Sequence, residues 1–471
     1  MQYSKSRVLG IINWLHVFRI YVPFIGFIAL GVLVVQLLHT LYTLRFDLQE
    51  VPTIQLERVA VFDLGWQSML VLALIIFVLK RTEKSVYLMD FACFEPPEEW
   101  RLSPQQIMDC LKAQQCFTQE SLDFMERMLE RSGCGPKTAW PPAILKVLRG
   151  EKLVTGTEDA REESRIVMKD CVANALKSSG YKAQDIDILI VNCSLFSPTP
   201  SLCAMIINDF GMRSDILSYN LSGMGCSAGV ISIDLAKRLM LGRPNSVALV
   251  VSTENLTQAL YLGNDRAFLL QNTLFRCGGA AVVMSNRWID GFTARFKLLT
   301  TIRTHYVSDE SVGCVYDTED AEGKPGVRLS KEIVKVAGRA MEKNFTALGP
   351  HVLPLSEQLK VVFSMISRIV GKKTGMFKIT PYIPDFKRGI HHFCIHAGGR
   401  GVIDGVEKNL KLSPQHVVAS RYALYTYGNT SSSSIWYEMD YIRKNLNLKR
   451  GERVLQVAFG SGFKCNSAVW L

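Results

Sequence analysis

The chain has 471 residues, of which 48% are hydrophobic and 21% charged, and its mean hydropathy lies just above zero. That excludes a disordered chain, while 34 glycines and 12 cysteines over this length exclude collagen-like and disulfide-scaffold classes. Lys and Arg exceed Asp and Glu by 54 to 43, a net +11, so anionic partners are favoured: acidic lipid, a phosphorylated ligand or nucleic acid. Nucleic acid ranks last, because the sequence has no Lys/Arg-rich tract, Cys/His finger or aromatic-basic ribonucleoprotein motif.

Residues 20–44 form a run of 25 without a formal charge. About 20 apolar residues already cross a hydrocarbon core. A second apolar run, 64–79, reaches spanning length if 59–63 are added; a buried amphipathic helix is the alternative there. The first run is too long for the apolar core of a cleaved signal peptide. Lys5, Arg7 and Arg19 precede the first run, and Lys80, Arg81 and Lys84 follow the second. Only Arg45 and Arg58 lie between. The excess of cations at both outer flanks predicts a hairpin anchor with both ends in the cytosol. In that reducing compartment the cysteines are expected to be free thiols, and N-x-S/T sequons such as the one at Asn220 would go unmodified.

Beyond the anchor, the runs 186–191, 247–252, 280–284 and 454–459 are rich in Val and Ile and read as buried strands. Helical patterns at 162–178 and 329–344 alternate with them, which argues for an α/β architecture. Glycine and proline punctuation over 371–384 predicts an internal boundary. The expected division is an anchor over 1–84, a first half over 85–372 and a second half over 373–471.

Three segments carry chemistry. In Asn220-Leu-Ser-Gly-Met-Gly-Cys-Ser-Ala-Gly, glycines at 223 and 225 permit a tight turn. From Cys226 onward, Val230, Ile233, Ala236 and Met240 recur at helical spacing. Cys226 is then expected at a helix N-terminus, where free N–H groups favour a thiolate nucleophile. A small buried cysteine is the competing reading. In His391-His-Phe-Cys-Ile-His-Ala-Gly-Gly-Arg, a strand would put His392, Cys394 and His396 on one face. Catalysis, a satisfied core histidine and, least favoured, a metal site all remain open there. In Tyr427-Gly-Asn-Thr-Ser-Ser-Ser-Ser-Ile-Trp, a serine-rich linker competes with a capped helix start. The apolar residues that follow favour the helix, and an ordered Asn429 could supply an amide donor. The terminal Ala-Phe-Gly-Ser-Gly-Phe-Lys reads as a glycine-rich turn after a strand, suited to close backbone approach to a ligand.

Taken together, GMGCSAGVISIDLA, HFCIHAGGR, GNTSSSSIWYE and AFGSGFKCNSAVW resemble the plant 3-ketoacyl-CoA synthases, in the order found in that family. The twin apolar runs, VYLMDFACFEPP and LGPHVLPLSEQL extend the resemblance over nearly the whole chain. It implies a thiolase-like α/β fold, two related halves layered αβαβα behind a two-helix transmembrane anchor. It also implies a decarboxylative condensation of malonyl-CoA with a long-chain acyl-CoA, without metal or redox cofactor. By the same resemblance Cys226 is the nucleophile, and His396 and Asn429 are the catalytic histidine and asparagine. His392 and His305 match family histidines of less defined role. Endoplasmic reticulum residence with a cytosolic catalytic domain, a homodimer, membrane lipid, and elongase reductase and dehydratase partners are expected by the same analogy. Family members often carry a histidine four residues before the asparagine, where this chain has Tyr425. A type III polyketide synthase-like condensing enzyme and a non-catalytic membrane scaffold are the alternative readings.

Overall fold

The computed structural model describes residues 85–471 except 154 and 375–379. The two predicted spans lie outside the described residues. Among the described residues, no helix is long and apolar enough to cross a membrane.

Nine strands form the main sheet: β1 (Tyr87–Cys93), β2 (Ile188–Asn192), β3 (Leu217–Leu221), β4 (Val247–Thr253), β5 (Gly279–Ser285), β6 (Phe296–His305), β7 (His392–Ile395), β8 (Val454–Gly460) and β9 (Lys464–Trp470). Their order is β7-β8-β9-β6-β1-β5-β4-β2-β3. On one side, β3, β2 and β4 run parallel before β5 and β1 join antiparallel. On the other, β7 and β8 run parallel before β9 and β6 join antiparallel. Two short antiparallel registers, Tyr87 opposite Lys297 and Leu88 opposite Phe296, connect the two sides. The sheet is thus two similar motifs joined edge to edge, a mixed α/β arrangement in which the parallel set β3, β2 and β4 runs opposite to the parallel set β7 and β8.

The predicted strands coincide with β2, β4, β5 and β8 to within two residues at each end. Their sequences are predominantly apolar because both faces are covered, and Asn192, Ser252, Ser285 and Gln456 are buried among them. Ile188 and Ile190 enter a central core, while Leu189 and Val191 enter the core on the opposite face. The central core also takes α1 (Ala228–Gly242) and α2 (Ser434–Asn445), the helices that follow β3 and the Asn429 segment. Trp436 on α2 is fully buried between Phe91 and Trp470, with ring centroids 5.3 and 6.1 Å away. Complete burial of a large apolar side chain contributes about 1.5–3 kcal/mol, so these two helices are fixed firmly beneath the strand ends. The third core packs the helix Ile333–Val352 against β6 and β9.

Leu355–Tyr382 clusters as part of a separate unit, whereas Ser85–Pro354 and Ile383–Leu471 cluster together. Its helix, Leu355–Thr374, is tied internally: Tyr382 donates its hydroxyl to Glu357 at 2.6 Å and its N–H to Ser364 at 3.0 Å.

Candidate active site

Cys226 occupies a three-residue 3-10 turn, Gly225–Ser227, that runs directly into α1. Gly225 has φ +64°, a backbone region that side chains with Cβ avoid. A Cβ there would also lie 2.6 Å from the Ser461 nitrogen in the β8–β9 turn. The terminal glycine turn, expected to approach a ligand, thus approaches the cysteine loop. The Gly225 N–H donates to the Ser194 hydroxyl at 3.0 Å, fixing the loop to the end of β2.

Burial pushes the Cys226 thiol up to about 11, a nearby Glu254 pushes in the same direction, and a hydrogen bond from Ser431 opposes both. The expected thiolate is thus not the resting form. Desolvation outweighs the helix terminus, a balance that spacing along the chain does not reveal.

His396 follows β7 and is 3% exposed. Its N–H donates to the Val457 carbonyl at 2.9 Å, and its Nδ1 lies 2.8 Å from the Ser434 hydroxyl. Burial lowers its pKa to about 4, so the ring is neutral near pH 7. When the Ser434 hydroxyl donates to Nδ1, the ring proton is on Nε2; when Nδ1 donates to Ser434, Nε2 is an acceptor.

Asn429 is 4% exposed and joins Phe275 in a lone parallel bridge. Its carbonyl accepts from the Arg276 N–H at 2.9 Å. The side-chain Oδ1 accepts from the Ser431 N–H at 2.9 Å, and Nδ2 donates to the Gly398 carbonyl at 3.4 Å. The amide is thereby oriented, its oxygen occupied and its NH2 turned toward the segment after His396. The five residues Thr430 to Ser434 are all buried, and α2 follows, so this serine run is core and not linker.

Three predicted residues thus belong to one neighbourhood. Cys226 meets Ser431, the Ser431 N–H holds Asn429, Asn429 reaches Gly398, and His396 rests on Ser434. Beneath them lies a buried polar seam, in which Ser432 donates to Asn192 at 2.6 Å and Asn192 donates to Ser232 and Ser252.

The other two histidines lie outside this network. His392, half-buried at the start of β7, has Nε2 2.9 Å from a Glu452 oxygen. His305 is exposed at the end of β6, opposite Lys464. Its pKa is lowered by desolvation first and then by Lys464, Arg303 and Lys343. Tyr425 is 56% exposed and helps line a cavity of about 400 Å³ with Gly133, Arg400, Arg421 and Tyr422. It does not enter the hydrogen-bond network around Asn429. No group of three or more metal-ligating side chains occurs among the described residues.

Sequence reasoning missed Glu254, a buried carboxylate just past β4. Its Oε1 accepts from the N–H groups of Ser194 and Leu195 at 2.9 and 2.8 Å, and from the Cys193 thiol at 3.3 Å. Its Oε2 accepts from the Ser431 hydroxyl at 3.0 Å. An acidic residue directly after the wholly buried strand Val247–Thr253 was the available signal.

Comparison with known proteins agrees with this architecture. Residues 77–370 match the model of the FAE1/type III polyketide synthase-like proteins, and residues 387–471 match the C-terminal part of 3-oxoacyl-[acyl-carrier-protein] synthase III. Among solved structures, CsyB complexed with CoA-SH is similar with a TM-score of 0.64 at 16% identity, covering 82% of this chain and 99% of that one. A type III pentaketide synthase from Neurospora crassa is similar with a TM-score of 0.62 at 17% identity, with the same coverage. These likenesses establish a thiolase-like mixed α/β fold. 3-ketoacyl-CoA synthase 5 of Arabidopsis thaliana is 50% identical over 388 residues, 82% of this chain and 77% of the relative. 3-ketoacyl-CoA synthase 11 of the same plant is 48% identical over 404 residues, 86% and 78% respectively. A probable 3-ketoacyl-CoA synthase 20 of Oryza sativa subsp. japonica is 50% identical over 389 residues, 82% and 73%. The chain belongs to the plant 3-ketoacyl-CoA synthase family, condensing acyltransferases of fatty acid elongation.

Proposed function

We propose that Cys226 is the acyl-accepting nucleophile of this synthase and that His396 and Asn429 form the donor pair for malonyl-CoA. The observation that carries the assignment is the continuous connection from Cys226 through Ser431 and Asn429 to the segment of His396. In the first half-reaction the Cys226 thiolate attacks a long-chain acyl-CoA, forming an acyl-thioester and releasing CoA. Backbone N–H groups at Cys226 and in the β8–β9 turn, which lie in close approach, suit the tetrahedral oxyanion.

In the second half-reaction malonyl-CoA presents its thioester carbonyl to His396 and Asn429. In the tautomer that accepts from Ser434, the neutral imidazole donates from Nε2, and the Asn429 NH2 is a second donor without net charge. They favour the enolate that forms as CO2 departs, because negative charge then develops on the oxygen they face. The carbanion attacks the acyl-cysteine, and 3-ketoacyl-CoA leaves two carbons longer. No step calls for a metal or redox cofactor.

The anchor over 1–84, endoplasmic reticulum residence, a cytosolic catalytic domain, a homodimer, and reductase and dehydratase partners belong to the same reading. The uncharged run 20–44 and the cationic flanks support the membrane part. The oligomer and elongase partners rest on family analogy. An elongation assay on microsomes tests the reading, with labelled malonyl-CoA and a ladder of saturated and monounsaturated acyl-CoAs. Chain-length-dependent 3-ketoacyl products are expected from the native chain, and background levels from Cys226→Ala. Undiminished product from Cys226→Ala would overturn the assignment.

A further inference from the structure

We propose that the tip formed by residues 288–292 is a second lipid contact of the chain, inserted at the headgroup level of an anionic bilayer beside the point where the anchor ends. The proposal rests on residues 1–84 being that anchor. Its basis is an apolar tip that the fold leaves outside. Trp288, Ile289 and Phe292 are 72%, 63% and 71% exposed, although large apolar side chains of this kind are usually covered. The tip is nevertheless built as one piece. Ile289–Phe292 is a 3-10 turn, and the Trp288 and Phe292 rings meet edge to face with centroids 5.2 Å apart. Asp290 is the only acid between 286 and 295, and it is drawn back toward the sheet. Its Oδ2 accepts from the Tyr181 hydroxyl at 2.5 Å and from the buried Ser285 hydroxyl. What remains outward is apolar.

The tip joins β5 to β6 and stands away from the candidate active site. β5 starts at Gly279, opposite Thr253 and so beside Glu254, and its seven residues carry the chain about 20 Å to Ser285 before the tip begins. The tip also lies where the described residues start. Tyr87, the first residue of β1, stands opposite Ser285 and Lys297, and a Cβ at Gly291 would lie 2.8 Å from the Tyr87 ring. The second apolar run ends at residue 79, eight residues before Tyr87, a reach of at most about 28 Å. A bilayer that holds this run is therefore one short stretch of chain away from the tip.

Charge and area select the occupant. Arg287 and Arg295 bracket the tip in sequence, and Lys80, Arg81 and Lys84 precede β1 with Glu83 as the one acid among them. The Arg295 side chain is 59% exposed while it pairs with Asp90 at 3.5 Å, and the Arg287 guanidinium lies 5.5 Å from the centre of the Tyr181 ring. Exposed Trp and Phe bracketed by cations suit the boundary between headgroups and acyl chains, where rings insert and cations meet anionic headgroups. A second copy of the chain fits less well. Two aromatic side chains and one isoleucine offer roughly 500 Å², short of the approximately 800 Å² per partner that a stable protein interface buries.

The test is photolabelling of the full chain in phosphatidylcholine vesicles, with and without phosphatidylserine, by a phospholipid that carries a diazirine in its acyl chain. Trypsin cuts after Arg287 and Arg295, so the tip is recovered as the single peptide 288–295. Label is expected in 288–295 as well as in 20–44, with at least about threefold more in the tip when phosphatidylserine is present. The double variant Trp288→Ser/Phe292→Ser changes exposed side chains and leaves the core intact. It is expected to lower the label in the tip at least about fivefold and to leave that in 20–44 unchanged. Label in 20–44 with 288–295 unlabelled, or undiminished label in the double variant, would overturn the tip contact and leave the anchor standing. Label in 288–295 with none in 20–44 or 64–79 would overturn the anchor and keep lipid at the tip. Equal label without phosphatidylserine would overturn the part given to the cations. A native dimer that the double variant loses, seen by sedimentation in detergent, would assign the tip to a second copy and overturn the lipid contact.

Discussion

The loop that carries Cys226 and the loop that carries Asn429 enter the site by the same route. Each contains a residue with left-handed φ, passes through a three-residue 3-10 turn and runs into a helix of the central core. They meet the left-handed position differently. At 225 the residue is glycine, and a Cβ would press on the Ser461 nitrogen. At 431 it is serine, held there although such a conformation costs on the order of 1–3 kcal/mol in a residue with a Cβ. The first position is explained by the room it leaves for the neighbouring turn. The second places a hydroxyl 3.0 Å from Glu254 Oε2 and a backbone N–H on Asn429 Oδ1. The backbone demand met by glycine makes room for a neighbouring turn, whereas the same demand met by serine ties the loop to a buried carboxylate.

The comparison can be sharpened by separating the two half-reactions. Asn429→Ala is expected to lower condensation by about 10²–10³ while leaving single-turnover acylation of Cys226 nearly intact. Equal loss in both half-reactions, measured with labelled acyl-CoA in the absence and presence of malonyl-CoA, would break the division between the loops. Next in size, Gly225→Ala should destabilise the chain by about 1–3 kcal/mol, more than Ser431→Gly, in paired thermal melts. A reversed order would break the contrast at the left-handed positions.

The pH dependence of stability probes the second loop and its neighbour. The folded-state pKa of His396 is depressed to about 4, whereas an unfolded histidine titrates near 6.5. Between those values the unfolded chain binds more protons, so the stability this group contributes is fully present above about pH 6.5 and is lost as pH falls toward 4. At pH 5 the loss relative to pH 7 is roughly 2 kcal/mol. It should disappear from the difference between native and His396→Gln denaturation curves if this ring is not the titrating group. The smallest expected effect is at Tyr425. Because it is exposed and outside the Asn429 hydrogen bonds, Tyr425→His should change condensation by less than about threefold. A larger gain in turnover would bring this position into the chemistry.

The strands were legible because burial on both faces leaves a predominantly apolar run, and the α1 register was legible from Val230, Ile233, Ala236 and Met240, all of which enter the central core. The candidate site was legible chiefly through its glycines, histidine and asparagine, which stand in recognisable local patterns. Glu254 was not, because its partners at Ser194 and Ser431 lie 60 and 177 residues away in sequence. The protonation of Cys226 was also hidden. A helix start is written locally, but the desolvation that outweighs it comes from segments distant in the chain. Tyr425 shows the reverse: a conspicuous departure near a key residue is placed by helix geometry on a different surface.

The Thr-Ser-Ser-Ser-Ser run after Asn429 has a consequence for regulation. A hydroxyl-rich tract of this kind resembles a phosphorylation cluster, yet each of its five residues is at most 2% exposed. A kinase must hold its target hydroxyl in line with a phosphoryl donor, and no hydroxyl here can reach one without opening the central core. Any signalling input to this synthase through phosphate must therefore act elsewhere on its surface, and a phosphate detected in this run would mark chains that have already unfolded.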